Sequence, residues 1–231
     1  MLVLAMDTAT PRVSVAVGRD GQVLGDLSLD GGRRHAEQLV PAIEYLCREL
    51  DIDLHQLAFV AVGLGPGLFT GLRVGVTTAR MMAQALRIPM VGVPTLDLIA
   101  YPLRHTSRTV VSVVDARRNE VFFACYQPVP GGVQRMTDYE VTTADGLAGE
   151  LEARGEETLL AGDGALRYSA AFGALDHVEL AGPGAALPSA AALVELATAR
   201  YEREEFSPPA DVHPLYLRRS DAEIEWDRKG Q

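Results

Sequence analysis

One pattern occurs twice in this chain and restricts its fold more than any other feature. An apolar run at residues 2–7 ends on Asp7, the polar Thr8-Ala9-Thr10-Pro11-Arg12 comes after it, and Val13-Ser14-Val15-Ala16-Val17 is next. Residues 110–115 end on Asp115, followed by Ala116-Arg117-Arg118-Asn119-Glu120 and Val121-Phe122-Phe123-Ala124-Cys125-Tyr126. The step from Asp7 to Val13 equals the step from Asp115 to Val121. Each copy reads as two short strands around a polar turn, and short hairpins are common enough to recur by chance. The order of the elements after each hairpin also repeats, as strand, helix, strand, helix. In the first half these are residues 22–29, 34–50, 57–63 and 71–87. In the second they are 133–141, 143–153, 158–161 and 187–203, with no clear pattern between the last two. Two duplicated α/β lobes are the expectation, meeting near residues 102–108, where apolar periodicity lapses. The division is 1–107, 108–205, and a strap and charged tail at 206–231 marked by Pro208-Pro209 and Leu215-Tyr216-Leu217.

The 231 residues are 48% hydrophobic and 23% charged, an ordinary globular balance with enough chain for two cores. A net charge of −10 speaks against a nucleic-acid surface spread over the chain, because phosphate contacts need clustered Lys and Arg. An RNA substrate would be held by a partner. Cys47 and Cys125 fall in a helical and a strand-like run, and buried free thiols are expected over a disulfide. The first residues lack the basic region of a signal peptide, and no apolar run approaches the roughly 20 residues that span a bilayer. A cytoplasmic protein without membrane contact is the expectation.

The segment Gly63-Leu64-Gly65-Pro66-Gly67-Leu68-Phe69-Thr70-Gly71-Leu72-Arg73 links a strand-like run to a long helical one. Its glycines bare the backbone N–H groups at a helix start, which suits either an anion or a closely docked backbone. Gly71 is followed by Leu72 rather than Lys-Ser/Thr, so it is not a Walker A loop.

Asp7 and Asp115 end strands at hairpin turns, where paired carboxylates can hold a metal on a nucleotide phosphate; equally, each can cap its own turn. His35 opens a helical run, but the position one turn on is Leu39, and no His-Glu-x-x-His occurs, so no metal site is expected. Pro41 in this run bends the helix or delays its start. No Ser or Cys stands in a Gly-x-Ser-x-Gly setting. The helix at 72–87 confines its polar residues to one stripe, Arg73, Thr77, Arg80, Gln84 and Arg87. Its apolar arc exceeds what one core needs, so the other lobe or a partner subunit covers the rest, and a partner is the favoured reading.

These residues together resemble the TsaB (YeaZ-type) family of threonylcarbamoyladenosine biosynthesis proteins. The resemblance rests on Asp7-Thr8-Ala9-Thr10, His35-Ala36-Glu37-Gln38-Leu39-Val40-Pro41 and the glycine-rich residues 65–73. Gly92-Val93-Pro94-Thr95-Leu96, Asp115-Ala116-Arg117, Glu120-Val121 and Pro214-Leu215-Tyr216-Leu217-Arg218 extend it along most of the chain. Residues 142–205 match in pattern only. Leu68 stands where the family often has Ser, which weakens a phosphate role for the loop and favours apolar docking.

The resemblance implies an α/β fold of two ribonuclease-H-like lobes in the acetate and sugar kinase/Hsp70/actin (ASKHA) superfamily. It implies a non-catalytic subunit pairing with a homologous TsaD-type enzyme, whose metal is held by two histidines on the equivalent helix. With a TsaE-type ATPase, such a complex transfers threonylcarbamoyl to the adenosine beside the anticodon of tRNAs reading codons that begin with A. Contact with tRNA would be indirect, no cofactor intrinsic, ATP or ADP admitted only in the complex, and a homodimer would form when the partner is absent. The expected partner surface is Ala36, Leu39, Val40, Ile43, Leu46, Val74, Met81 and Met82. A rival reading is an ATPase or kinase-like enzyme of the same fold. Its phosphates would lie among Asp7, Thr8, Thr10, Gly65, Gly67, Thr70, Gly71 and Asp115. A weaker third is a glycoprotease-like peptidase.

Overall fold

The computed structural model describes residues 1–32 and 34–218; the expectation of a charged end to the tail lies outside them. The first half forms β1 (Leu2–Asp7), β2 (Arg12–Arg19), β3 (Gln22–Asp30), α1 (His35–Glu49), β4 (Leu57–Gly63), α2 (Phe69–Leu86), β5 (Met90–Val93) and α3 (Thr95–Ala100). Its sheet runs β3-β2-β1-β4-β5, with β1 antiparallel to β2 and parallel to β4. The second half forms β6 (Thr109–Arg117), β7 (Glu120–Val129), β8 (Gly132–Arg135), β9 (Glu140–Thr143), α4 (Ala144–Arg154), β10 (Thr158–Ala161), α5 (Asp163–Arg167), α6 (Ser169–Phe172), β11 (Val178–Leu180) and α7 (Ala190–Glu202). Its sheet runs β11-β10-β6-β7-β8, with β9 also pairing along β7. In each half the hairpin's first strand is central, flanked on one side by its antiparallel partner and on the other by a parallel strand.

Alternation along β1 explains why this strand is central. Leu2, Leu4 and Met6 face a core shared with Leu39, Ile43 and Leu46 of α1 and Val76 and Ala79 of α2. Val3 and Ala5 face the opposite side and pack with Leu193, Val194 and Ala197 of α7. A strand apolar at every position is what burial on both faces demands.

Two expectations need correction. Residues 133–141 are not one strand: β8 pairs with Tyr126–Val129 of β7 and β9 with Glu120–Phe123. Between them Met136 N–H donates to the Cys125 carbonyl at 2.8 Å and Thr137 Oγ1 accepts from Cys125 N–H at 3.1 Å, which shifts the chain along β7. Helix α7, assigned to the second lobe, lies on the first sheet because its small apolar face fits against Val3, Ala5 and Ala16. Conversely, Leu96, Ile99 and Ala100 of α3 pack on the second sheet with Val110, Val114 and Phe122. The junction is tied at Asp97 of α3, whose Oδ1 accepts from the Tyr126 and Tyr139 hydroxyls at 2.9 and 2.8 Å. Its Oδ2 meets Arg200 of α7 at 3.2 Å.

Helix α1 begins at His35 and continues through Pro41. Pro41 is exposed, so the Glu37 carbonyl that loses its N–H donor lies on the wet face. Cys47 and Cys125 are both free and buried.

Candidate functional site

At the end of β1, Asp7 is enclosed, with 1% of its surface exposed. Its Oδ1 accepts from Ala9 N–H at 3.0 Å and its Oδ2 from the Thr95 hydroxyl at 2.9 Å. Thr95 Oγ1 accepts in turn from Gly65 N–H at 3.1 Å, so one carboxylate joins β1, the glycine-rich turn and α3. Burial pushes the Asp7 carboxyl up to about 6, against the lowering effect of these hydrogen bonds.

The glycine-rich turn lies directly on the first hairpin turn. A Cβ on Gly67 would stand 2.1 Å from the Ala9 carbonyl oxygen, and one on Gly71 2.1 Å from that of Thr8. Leu68 N–H donates to the Ala9 carbonyl at 2.7 Å, and the Thr8 hydroxyl to the Gly71 carbonyl at 2.7 Å. Asp7, Thr8, Gly65, Gly67 and Gly71 are thus brought together, but as mutual partners. These contacts join the glycine-rich turn directly to the backbone of the first hairpin turn. The Thr10 carbonyl accepts from His35 Nε2–H at 2.8 Å, while the Thr10 hydroxyl is buried without a partner among the described residues. Thr70 is exposed.

Asp115 has separate company. Its Oδ1 accepts from Arg117 N–H at 2.9 Å and the Tyr168 hydroxyl at 3.0 Å. Its Oδ2 pairs with Arg117 Nη1 at 3.1 Å and Arg167 Nε at 3.5 Å. Its N–H donates to Asp163 Oδ1 at 3.0 Å. Burial, with the nearby Asp115 charge, moves the Asp163 carboxyl upward despite its backbone hydrogen bonds. Asp7 and Asp115 share no hydrogen-bond or ion-pair partner among the described residues.

Between the lobes lies a cleft of about 530 Å³, bounded by Pro11, His35, Leu68, Phe69 and Thr70 on one side and Arg117 on the other. A second hollow, also about 530 Å³, runs between α1 and α2 past Ala36, Val40, Phe69, Val74 and Thr77. Val40 is 46% and Met81 67% exposed, a large fraction for apolar side chains on neighbouring helices. Leu39, Ile43 and Leu46, expected at the partner surface, are instead core residues. They lie at the i, i+4 and i+7 positions that turn to the sheet, leaving Ala36 and Val40 outward. Val74 and Met82 are partly buried against that core. Thr95 was missed as a site residue. It follows Pro94 at a helix start, where its hydroxyl reads as a cap, and nothing in the sequence points 88 residues back to Asp7.

Two sheets built around matching hairpins, joined by helices exchanged across the junction, define the ASKHA fold. A ROK hexokinase from Thermus thermophilus shares it at a TM-score of 0.51 and 15% identity, over 88% of this chain and 100% of that one. The family model for TsaD, tRNA N6-adenosine threonylcarbamoyltransferase, matches residues 30–226. The tRNA threonylcarbamoyladenosine biosynthesis protein TsaB of Bacillus subtilis (strain 168) is 30% identical over 98% of both chains. The solved structure of YeaZ from Pseudomonas aeruginosa is similar at a TM-score of 0.79 and 29% identity, covering 94% of this chain and 99% of that one. The chain belongs to the TsaB (YeaZ-type) family.

Proposed function

We propose that this chain acts in tRNA threonylcarbamoyladenosine biosynthesis as a non-catalytic subunit that pairs with a TsaD-type enzyme and supports its threonylcarbamoyl transfer. The acceptor would be the adenosine beside the anticodon of tRNAs reading codons that begin with A, reached through the partner. The observation that carries the pairing is the apolar strip on α1 and α2, with Val40 and Met81 exposed above a core that does not use them. Apolar surface on two adjacent helices of one lobe suits the equivalent helices of a homologous subunit. Leu39 supports the non-catalytic assignment: it fills the core one turn beyond His35, where the resemblance puts the enzyme's second metal-binding histidine. The closed contacts of Asp7 and Thr8 count against the kinase-like alternative. A TsaE-type ATPase completes the proposed assembly, ATP or ADP enters only there, and a homodimer covers the strip when the partner is missing.

Size-exclusion chromatography with light scattering on the chain alone, and mixed with a TsaD-type protein, tests this reading. A one-to-one heterodimer that replaces any homodimer is expected. Val40→Asp with Met81→Glu should raise the Kd at least about thirtyfold, the equivalent of ~2 kcal/mol at a buried apolar contact. The same pair should change the stability of the free chain by no more than about 0.5 kcal/mol, as at other exposed sites. Unmixed peaks from the unmodified proteins would reject the pairing.

A further inference from the structure

We propose that the hollow between the C-terminal end of α2 and the strap binds an acidic, extended segment of a partner protein. The hollow measures about 680 Å³, within the roughly 300–1,000 Å³ of ligand sites. Arg80, Gln84 and Arg87 form one side of it, Phe206, Pro208 and Pro209 the other. The strap wall is fixed in place. Met90 N–H donates to the Ser207 carbonyl at 3.0 Å and Ser207 N–H to that of Met90 at 2.9 Å, which ties the strap to β5. Phe206 stacks on Tyr201 with ring centroids 5.0 Å apart, and Tyr201 on Phe59 of β4 at 4.4 Å. Phe206 nevertheless keeps 41% of its surface exposed, so a braced aromatic side chain lines the opening.

The charge of the hollow selects its occupant. No carboxylate lines it among the described residues, and there neither the Arg80 nor the Arg87 guanidinium has a hydrogen bond or an ion pair. Glu205, just before Phe206, is held by Arg203 at 2.7 Å. Two open guanidinium groups beside an apolar wall suit carboxylates with apolar side chains next to them. Seven residues of helix set Arg80 and Arg87 about 10 Å apart along the α2 axis. A polyproline-II segment carries residues three apart on one face, about 9 Å from one another. Two carboxylates at that spacing meet both arginines at once, whereas an inorganic phosphate would leave the apolar wall empty. The residues between them turn toward Phe206 and Pro208, and Gln84 offers its amide to the segment's unpaired backbone. This hollow shares no lining residue with the one between α1 and α2, so the inference does not depend on the pairing proposed above.

The probe is the peptide fluorescein-Pro-Glu-Leu-Pro-Glu-Leu-Pro-amide, titrated with the full chain and followed by fluorescence anisotropy. Saturable binding with a Kd of about 100 μM or tighter is expected. Arg80→Glu with Arg87→Glu should raise that Kd at least about tenfold, with an unchanged far-UV circular dichroism spectrum. The same peptide with Gln for both Glu should lose affinity to a similar degree on the unmodified protein. Arg19→Glu with Arg48→Glu makes the same change in net charge at exposed positions outside the hollow, and should leave the Kd within about twofold. No binding by the unmodified protein would overturn the proposal. So would equal binding of the glutamine peptide, or an equal loss in the Arg19/Arg48 variant. Displacement of the peptide by an equal concentration of inorganic phosphate would make the hollow a small-anion site. A homodimer that the Arg80/Arg87 change dissolves would put a second copy there. Either of these results also overturns it.

Discussion

At the end of β1, Asp7 receives an amide and a hydroxyl from its own lobe and is covered by the glycine-rich turn. At the end of β6, Asp115 receives an amide and a tyrosine hydroxyl but faces two half-exposed guanidinium groups. The two hairpins begin from one sequence pattern, so the difference lies in what was laid over each. In the first lobe, backbone fills the turn and the acid becomes a structural joint. In the second, the turn borders the cleft and its acid holds Arg117 and Arg167 in place. A repeated motif therefore specifies a repeated strand arrangement without specifying a repeated chemistry.

The largest test of this contrast is the pH response of Asp7. Its carboxyl titrates at about 6 when folded against 3.8 as the reference value. The folded state therefore holds the proton more tightly, and its stabilising contribution is complete below pH 3.8 and lost as pH rises through 6. Asp7→Asn removes this titration. The stability of the unmodified protein relative to that variant should fall by about 3 kcal/mol between about pH 3 and about pH 7. Urea unfolding of both proteins across that range measures it. A difference that stays flat would mean that the joint is wetter than its contacts indicate.

Next in size is the cover over the first turn. A Cβ at Gly71 would meet the Thr8 carbonyl oxygen at 2.1 Å, a backbone atom fixed at the end of β1. Overpacking of this kind costs about 3 kcal/mol, and the better helix propensity of Ala offsets about 1. Gly71→Ala should lose about 2 kcal/mol net, a fall in Tm of roughly 4–8 °C for a chain of this size. An unchanged melting temperature would show that the two turns are not locked together.

How much of this was legible depends on whether the information is local. The duplicated hairpins and the order of elements could be read because apolar alternation and turn composition repeat over short stretches. The buried thiols were legible for the same reason. Which way a helix faces was not: Leu39 and Val40 are adjacent apolar residues, yet one fills the core and the other meets water. Only the sheet beneath α1 decides between them. The position of α7 was hidden because its small residues suit either sheet, and Val3 and Ala5 of a distant strand select it. Thr95 was hidden for the plainest reason, since its partner lies 88 residues away. The glycine-rich turn was half legible: the bare backbone was evident, but the Thr8 and Ala9 carbonyls that occupy it were not.

The smallest expected effect belongs to the second turn. Asp115→Asn retains an oxygen to accept from Arg117 N–H and the Tyr168 hydroxyl, and loses only the charge that pairs with the two guanidinium groups. Arg117 and Arg167 are 47% and 55% exposed, so water screens much of that attraction. The loss should be about 1 kcal/mol at low ionic strength and shrink in concentrated salt. Unlike the Asp7 joint, which is shielded from ions, this one should respond to salt more than to the shape of the replacement. Urea unfolding of Asp115→Asn at low and high salt separates the cases. A loss of several kcal/mol that ignores salt would mean that the second turn is sealed like the first, and the contrast between the lobes would fail.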